Sequence, residues 1–391
     1  MRNPLSETIV TIQPSGIRKY FDLVNEMEDG ISLGVGEPDF ATPWHIRDEG
    51  IYTLEKGRTH YTSNAGLVEL KIEIAKFLQR RYDLEYDYKK EIMVTVGGSE
   101  AIDIAFRAML DPGDEVLIPQ PSYVSYLPCT VLANGKPVVI ELKAENEFRL
   151  TPEQLEAAIT EKTKILVLPY PNNPTGAVME REDLEKIAEV IKKHDIFVLS
   201  DEIYSELTYL ENHVSIASLP GMKERTIIIN GFSKSHAMTG WRLGYACGPE
   251  LIIKQMLKIH QYAIMCAPTN SQYAAVEALK NGDPDVAKMR EEYNGRRRYL
   301  LHRFKEMGLE CFEPFGAFYM FPCIKEFGMT SEEFVTELLH AQRVAVVPGT
   351  AFGDCGEGYL RISYAYSLEN LRVAMDRIEA FVTELRSKKN K

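Results

Sequence analysis

The sequence lacks the features of several large classes of protein. No apolar run approaches the roughly 18 residues that a membrane-spanning helix needs, and Arg2 and Glu7 stand where a signal peptide would have its apolar segment. The six cysteines include no Cys-x-x-Cys pair, so neither a zinc site nor a disulfide framework is indicated. These absences predict a cytoplasmic protein with reduced thiols, no bound metal and no membrane contact.

Positive charge is also in short supply. The chain has 45 Lys and Arg against 57 Asp and Glu, which gives a net charge of -12. Nucleic acids and anionic membranes bind basic surfaces, so neither is expected as the main partner. What the chain does have is 391 residues, 45% of them hydrophobic, which is enough for two soluble domains.

Short apolar runs alternate with helical patterns through most of the chain. Such runs predict buried strands at 91–96, 115–118, 137–140, 164–168, 196–199, 226–229 and 243–246. Helical patterns lie between several of these runs, as at 152–159 and 181–193. The alternation predicts an α/β fold with a mainly parallel sheet covered by helices, and a ligand crevice at the carboxyl ends of its strands.

Beyond about residue 285 the alternation stops. A long charged helix is predicted over 289–307, a strand over 359–364 and a last helix over 368–386. We therefore expect three parts: an N-terminal arm with part of a small domain at 1–45, a large domain at 46–285, and a small α+β domain at 286–391.

Glycines follow two of the predicted strands. Gly97 and Gly98 stand between the strand at 91–96 and a helix, where backbone N–H groups and the helix dipole can hold an anion. Ser99 can cap that helix or donate to a phosphate, and a plain helix cap is the alternative. Gly36 lies in a glycine- and proline-containing loop after a short, mainly apolar strand that begins at Ile31. That loop is either a tight turn or a place where the backbone approaches a ligand.

Charged residues follow two further strands. Asp201, after the strand at 196–199, can cap a helix or hold a protonated ring nitrogen, and Tyr204 can face the same site if the chain turns there. Lys234 follows the strand at 226–229, with Ser233 beside it and Arg242 eight residues later. A lone lysine in such a loop is usually a surface residue, but a desolvated one can form a Schiff base.

One arginine is predicted to point away from a largely apolar strand. Alternation along 359–364 places Leu360 and Ile362 on one face and Arg361 on the other. An arginine in that position is either exposed or binds a carboxylate.

The order of these motifs resembles that of the class I and II aminotransferases, which are pyridoxal 5'-phosphate enzymes of the aspartate aminotransferase fold (fold type I). The motifs are Gly97–Ser99, Tyr123, Asn173–Gly176, Asp201 with Tyr204, Ser233–Lys234, Gly240–Arg242 and Arg361. The resemblance extends from about Ile31 to the C-terminal helix. It implies a large domain with a mainly parallel sheet and a smaller α+β domain.

The resemblance also implies a role for each residue around the cofactor ring. Lys234 would be the Schiff base lysine and would move the proton at the substrate Cα. Asp201 would pair with the pyridine nitrogen and keep it protonated. Tyr204 and Asn173 would bond the ring oxygen, and Tyr123 would stack on the ring.

Further residues would hold the phosphate. The resemblance places the phosphate on Gly98 and Ser99, with Ser233 and Arg242 as additional donors. Tyr61 matches a tyrosine that reaches the phosphate bound by the neighbouring subunit. A homodimer with shared active sites is therefore expected.

The substrate carboxylate would be held by Arg361, with help from Asn173 and the backbone of Gly36. The expected reaction is a ping-pong transfer between an L-amino acid and a 2-oxo acid, with glutamate and 2-oxoglutarate as one pair and an aspartate- or aromatic-type donor. The same fold also hosts β-elimination (C–S) lyases. A non-enzymatic sensor domain is a remote alternative, because no basic helix-turn-helix region precedes residue 31.

Two points stay open at the level of sequence. His236 stands where the family usually has an aromatic residue, and packing is expected there rather than base catalysis. Side-chain selectivity is also undecided: apolar wall candidates are Phe40, Phe318 and Phe352, and Arg18 or Lys19 could bind a side-chain carboxylate.

Overall fold

The computed structural model describes residues 2–14, 27, 29–210 and 212–389. Arg18 and Lys19, the candidates for binding a side-chain carboxylate, lie outside these residues. In the part of the chain that is described, no helix combines the length and apolar content that a membrane crossing requires.

The strands agree closely with the apolar runs in the sequence. They are β1 (Ile31–Ser32), β2 (Ile92–Thr95), β3 (Glu115–Gln120), β4 (Lys136–Glu141), β5 (Thr163–Leu168), β6 (Phe197–Asp201), β7 (Thr226–Gly231), β8 (Gly244–Cys247), β9 (Tyr319–Met320), β10 (Val344–Ala345), β11 (Val347–Pro348) and β12 (Leu360–Ser363). Each of the seven runs predicted between residues 91 and 246 forms a strand, so those predictions are confirmed.

The helices lie between the strands and at both ends of the chain. They are α1 (Glu7–Val10), α2 (Trp44–Glu55), α3 (Val68–Tyr82), α4 (Gly97–Met109), α5 (Tyr126–Leu132), α6 (Pro152–Ala158), α7 (Arg181–His194), α8 (Glu250–Ala263), α9 (Thr269–Asn281), α10 (Asp283–Met307), α11 (Ser331–Gln342) and α12 (Leu368–Lys389). Helix α10 starts six residues before the predicted 289, because Pro284 fits the first turn, where acidic side chains favour the helix start.

Seven strands form one sheet in the order β2-β8-β7-β6-β5-β3-β4. Strands β7, β6, β5, β3 and β4 are parallel neighbours, whereas β8 runs antiparallel to both β7 and β2. The predicted mainly parallel sheet is confirmed. The antiparallel β8 brings the chain back along β7, so the loop 232–243 between them lies at the carboxyl end of β7.

Helices cover both faces of this sheet. Ile228 of β7 packs with α3 and α9, while its neighbours Ile227 and Ile229 pack with α4 and α8 on the opposite face. A strand buried on both faces has no polar alternation, which explains why β7 is a continuous apolar run. The α/β prediction is therefore confirmed.

A second hydrophobic core contains α10, α11, α12 and the strands β9, β10 and β12, and β11 pairs with β12. Strand β1 joins this part of the molecule by pairing Ile31 with Val344 and Ser32 with Ala345 in parallel, and Leu33 is buried in the same core. A segment near the N-terminus is thus fixed to the C-terminal part of the chain. The domain boundaries at residues 45 and 285 stay a prediction.

Gly244 offers a test of how tightly the sheet packs against α4. A Cβ at Gly244 would lie 2.7 Å from both the carbonyl carbon of Gly97 and the nitrogen of Gly98, and backbone cannot move aside cheaply. We expect Gly244→Ala to lower the free energy of unfolding by about 1–3 kcal/mol in urea titrations. The control is Gly240→Ala, since a Cβ there meets nothing within 4 Å. Equal stability of the two variants would contradict this packing.

Candidate active site

A cavity of about 420 Å³ opens at the carboxyl ends of the central strands, between the sheet and the second core. It is lined by the predicted residues Gly36, Gly98, Ser99, Tyr123, Asn173, Asp201, Tyr204, Ser233, Lys234, Arg242 and Arg361. A wider, more open depression of about 1130 Å³ lies between α3 and α10 and contains none of them. The chemistry that the sequence indicates therefore converges on the smaller cavity.

Lys234 lies inside this cavity and not on the surface. Its Nζ donates a hydrogen bond to the carbonyl oxygen of Gly36, 2.5 Å away. Burial lowers the pKa of Lys234 to about 8; the positive charges of Arg361 and Arg242 act in the same direction, and the negative charges of Glu37 and Asp201 oppose them. A lysine with this pKa has a substantial neutral fraction near pH 8, as a nucleophile or base requires.

Asp201 ends β6 on the floor of the cavity. Its Oδ2 accepts a hydrogen bond of 2.7 Å from the hydroxyl of Tyr126 at the start of α5. Burial raises the pKa of Asp201 to about 6, although the bonds from Tyr126 and from the backbone of Ile203 favour the ionised form. A buried carboxylate with this pKa is poised to hold a positively charged partner.

Tyr204 faces the cavity on a turn just after Asp201, as expected. Its hydroxyl lies 2.8 Å from the hydroxyl of Tyr319 on β9. Burial raises the pKa of Tyr204 well above its ordinary value, and the interaction with Tyr319 acts in the same direction. Both hydroxyls are therefore neutral near pH 7.

Sequence reasoning did not single out Tyr126 or Tyr319. The position of Tyr126, three residues after Tyr123 at the start of a helix, was a usable signal, because that spacing brings side chains to one face. Of the apolar wall candidates, Phe318 is fully buried in the second core, and the neighbouring Tyr319 faces the cavity instead.

The start of α4 forms one wall of the cavity. The helix begins at Gly97, so the glycine pair belongs to its first turn. Of the two roles predicted for Ser99, that of helix cap is wrong. The N-cap residue is Val96, whose N–H donates to Oε2 of Glu100. The hydroxyl of Ser99 instead lies 3.3 Å from that of Tyr123, which leaves it facing the cavity.

Arg242 closes the cradle at the start of α4. A Cβ at Gly97 would lie only 2.7 Å from Nη2 of Arg242, so the guanidinium lies directly against the glycine backbone. Its Nη1 donates to the carbonyl of Thr239 at 3.0 Å. A helix N-terminus with a guanidinium and hydroxyls beside it is an anion site suited to a phosphate.

Arg361 is buried, which excludes the solvent-exposed alternative. Its guanidinium lies between the rings of Tyr319 and Phe352, 4.6 and 4.7 Å from their centroids. Nη1 donates to Oδ1 of Asn173 at 2.9 Å, and Nη2 donates to the carbonyl of Gly34. Its buried Nε has no hydrogen-bond partner, so the group retains a donor for a carboxylate ligand.

Tyr61 and His236 lie outside the cavity, and none of the apolar wall candidates Phe40, Phe318 and Phe352 lines it. Tyr61 is 80% exposed and does not line it. His236 is buried against Phe232, with Nδ1 2.8 Å from the Ser235 hydroxyl, and burial lowers the pKa of His236 to about 4. The packing interpretation of His236 therefore agrees with its surroundings.

The residues present fit pyridoxal phosphate. The cavity has the volume of a small-ligand site. It contains the amine of Lys234, whose lowered pKa allows a neutral form, and an anion-binding site at the start of α4. The buried carboxylate of Asp201 lies on its floor, and the unpartnered Nε of Arg361 remains for a substrate carboxylate. These groups suit an aldehyde, a phosphate, a ring nitrogen and a carboxylate, respectively.

Because the pKa of Asp201 is higher in the folded protein than in the unfolded chain, its contribution to stability is present at low pH and is lost as pH rises through about 6. We expect Asp201→Asn, made in protein stripped of cofactor, to gain about 2 kcal/mol over the parent between pH 4 and pH 7. The free energy of unfolding from urea titrations at each pH measures this. A difference between the two proteins that does not change with pH would contradict the burial argument.

Comparison with known proteins agrees with the fit of this cavity to pyridoxal phosphate. A family model described as aminotransferase class I and II matches residues 28–378. The chain is 54% identical to the putative aminotransferase YugH of Bacillus subtilis, over 98% of this chain and 99% of that protein. It is 49% identical to an aspartate aminotransferase of Pyrococcus abyssi, over 97% of this chain and 98% of that protein. The crystal structure of the aromatic aminotransferase of Pyrococcus horikoshii matches with 48% identity and a TM-score of 0.90, over 95% of this chain and all of that one.

These relatives are named as aminotransferases, so the transferase prediction is confirmed, and the lyase and sensor alternatives are not favoured. The pyridoxal-phosphate cofactor and the fold class are confirmed with it. The chain is thus an enzyme of the class I and II aminotransferase family that depends on pyridoxal phosphate.

Proposed function

We propose that this enzyme moves an amino group between an L-amino acid and a 2-oxo acid in a ping-pong reaction, with glutamate and 2-oxoglutarate as one pair. The observation that carries the proposal is the placement of Lys234, with its lowered pKa, in one cavity with Asp201 and Arg361. The second donor is of the aspartate or aromatic type, in keeping with the names of the relatives.

Lys234 is the residue that moves the proton. The chemistry that pyridoxal phosphate supplies when bound is an aldehyde carbon that holds the amino group and a ring that accepts electrons. Nζ of Lys234 accepts the proton from the substrate Cα and later returns one. Burial supports this role, since a pKa of about 8 lets the same nitrogen accept and release a proton near neutral pH.

Asp201 and the start of α4 orient the cofactor. The carboxylate of Asp201 would hold a proton on the ring nitrogen, and Tyr126 fixes that carboxylate by donating to its Oδ2. Gly98, Ser99 and Arg242 would bind the phosphate, with Ser233 as a further donor. Tyr123 would stack on the ring, and Tyr204 and Asn173 would bond the ring oxygen.

Arg361 binds the substrate α-carboxylate. Two aromatic rings and the oxygens of Asn173 and Gly34 fix the guanidinium plane, and the free Nε completes the clamp. Gly36 lies beside it: a Cβ there would be 3.7 Å from Nη1 of Arg361 and would touch the Tyr319 hydroxyl. A substrate carboxylate can therefore reach the backbone of Gly36.

The reaction is tested by incubating the enzyme with glutamate alone. We expect one equivalent of 2-oxoglutarate per active site with loss of the aldehyde absorption, because a ping-pong enzyme completes half of its cycle without an acceptor. Lys234→Ala should lower the rate by about 10²–10⁴-fold or more with the fold intact, whereas Lys186→Ala, an exposed residue on α7, should not.

The same assay with aspartate and with phenylalanine distinguishes the two donor types. Release of pyruvate and ammonia from cysteine without a half-reaction on glutamate would overturn the proposal in favour of a lyase.

We further propose a homodimer in which Tyr61 reaches the phosphate bound by the partner. Tyr61 is 80% exposed, and Tyr262, close by, is 88% exposed. Their segments are joined by bonds from Asn64 to the carbonyl of Met265 and from Thr269 to that of His60. Exposed large apolar side chains grouped in this way are typical of a surface covered by another subunit.

Mixing two impaired variants tests the shared site. If Tyr61 acts across the interface, dimers formed from Lys234→Ala and Tyr61→Asp chains contain one intact site, with Lys234 from one chain and Tyr61 from the other. We expect a refolded equimolar mixture to recover about a quarter of the parent activity. If Tyr61 acts within its own chain, no hybrid contains an intact site, and the mixture stays as inactive as its components.

A further inference from the structure

We propose that Tyr319 is a positioning residue that joins the substrate clamp to the hydroxyl of Tyr204. This inference rests on the proposed function, which gives Arg361 and Tyr204 their roles at the substrate carboxylate and at the ring oxygen. Tyr319 lies on β9, lines the cavity and is itself fully buried. Its ring and its hydroxyl touch different parts of the site, so the two contributions can be separated by mutation.

The hydroxyl of Tyr319 occupies a confined position. It lies 2.8 Å from the Tyr204 hydroxyl on one side, and on the other a Cβ at Gly36 would be only 2.5 Å from it. A buried tyrosine hydroxyl needs a hydrogen-bond partner, and Tyr204 is placed to be that partner. The loop around Gly36 therefore fixes where the Tyr319 hydroxyl points.

Either hydroxyl has the geometry to donate in this contact, and we assign Tyr319 as the donor. Each tyrosine hydroxyl has one hydrogen to donate and lone pairs to accept. When Tyr319 donates to the oxygen of Tyr204, the hydrogen of Tyr204 is free to point into the cavity toward the ring oxygen. Without that donor, the Tyr204 hydroxyl loses the bond that aims it.

The ring of Tyr319 has a second task. Its face lies 4.6 Å from the Arg361 guanidinium, which Phe352 covers at 4.7 Å on the other side. Stacking between two rings fixes the plane of the guanidinium and thus the direction of its unpartnered Nε. One side chain therefore aligns the carboxylate clamp through its ring and Tyr204 through its hydroxyl.

Two substitutions separate these tasks. Tyr319→Phe keeps the ring and removes the hydroxyl, whereas Tyr319→Leu removes both. Tyr170→Phe is the matched control: its buried hydroxyl donates to the carbonyl of Phe148 at 2.9 Å and does not line the cavity. Urea titrations check that each variant is folded.

The first readout is the pH at which the absorption band of the cofactor-loaded enzyme titrates. A donor to the ring oxygen stabilises its anionic form, so weaker donation by Tyr204 raises the titration midpoint. We expect an upward shift of about 0.5–1 pH unit in both Tyr319 variants and none in Tyr170→Phe. An unchanged midpoint in Tyr319→Phe would overturn the role of the hydroxyl.

The second readout is the binding of maleate, an unreactive dicarboxylate, to the loaded enzyme. We expect the dissociation constant to stay within about twofold in Tyr319→Phe and to rise about tenfold in Tyr319→Leu, because only the latter loses the ring over Arg361. Equal affinities in the two variants would overturn the role of the ring.

With glutamate, Tyr319→Phe should then lower kcat while leaving KM nearly unchanged, and Tyr319→Leu should change both. The parent enzyme could fail the glutamate half-reaction while the Tyr319 variants still show the expected changes in titration midpoint and maleate affinity. That result would refute the proposed reaction and support this role of Tyr319.

Discussion

Burial of opposite charges at the ends of adjacent parallel strands is the constraint on which this active site depends. The same loss of water raises the pKa of Asp201 and lowers that of Lys234, so the two values approach each other, at about 6 and about 8. Lys234 would not be useful with its ordinary pKa, since a fully charged lysine cannot accept a proton. The parallel sheet supplies this environment because its strand ends are covered by helices on both faces and by the second core from above.

The cavity is complete only because two cores meet around it. The sheet contributes Lys234 and Asp201, and the second core contributes Arg361 and Tyr319. The segment around Gly36 bridges them, since β1 pairs with β10 in the second core while the Gly36 carbonyl accepts from Lys234. Groups assigned to the cofactor and groups assigned to the substrate therefore belong to different packing units, and their alignment depends on contacts between those units.

Much of this arrangement could be predicted from the sequence, for identifiable reasons. The strands β5, β6 and β7 are buried on both faces, so their apolar runs are unmistakable, and the groups after them had to meet at one edge. The partners of those groups could not be predicted in the same way. Glu100 binds the N–H of Val96 in place of a Ser99 cap, and Tyr319 meets Tyr204 from 115 residues away in the chain. Such contacts depend on tertiary packing, which local patterns do not encode.

The antiparallel strand β8 has a consequence for how the chain tolerates change. Because β7 ends at Gly231 and β8 returns from Gly244 beside it, both ends of the loop 232–243 are held by one strand pairing. Lys234 and Arg242 both lie on that closed loop. The length of the loop therefore sets the distance between the amine and the phosphate cradle. An insertion within this loop would change the spacing of two functional groups at once, whereas the same insertion in an external turn would lengthen only a connection.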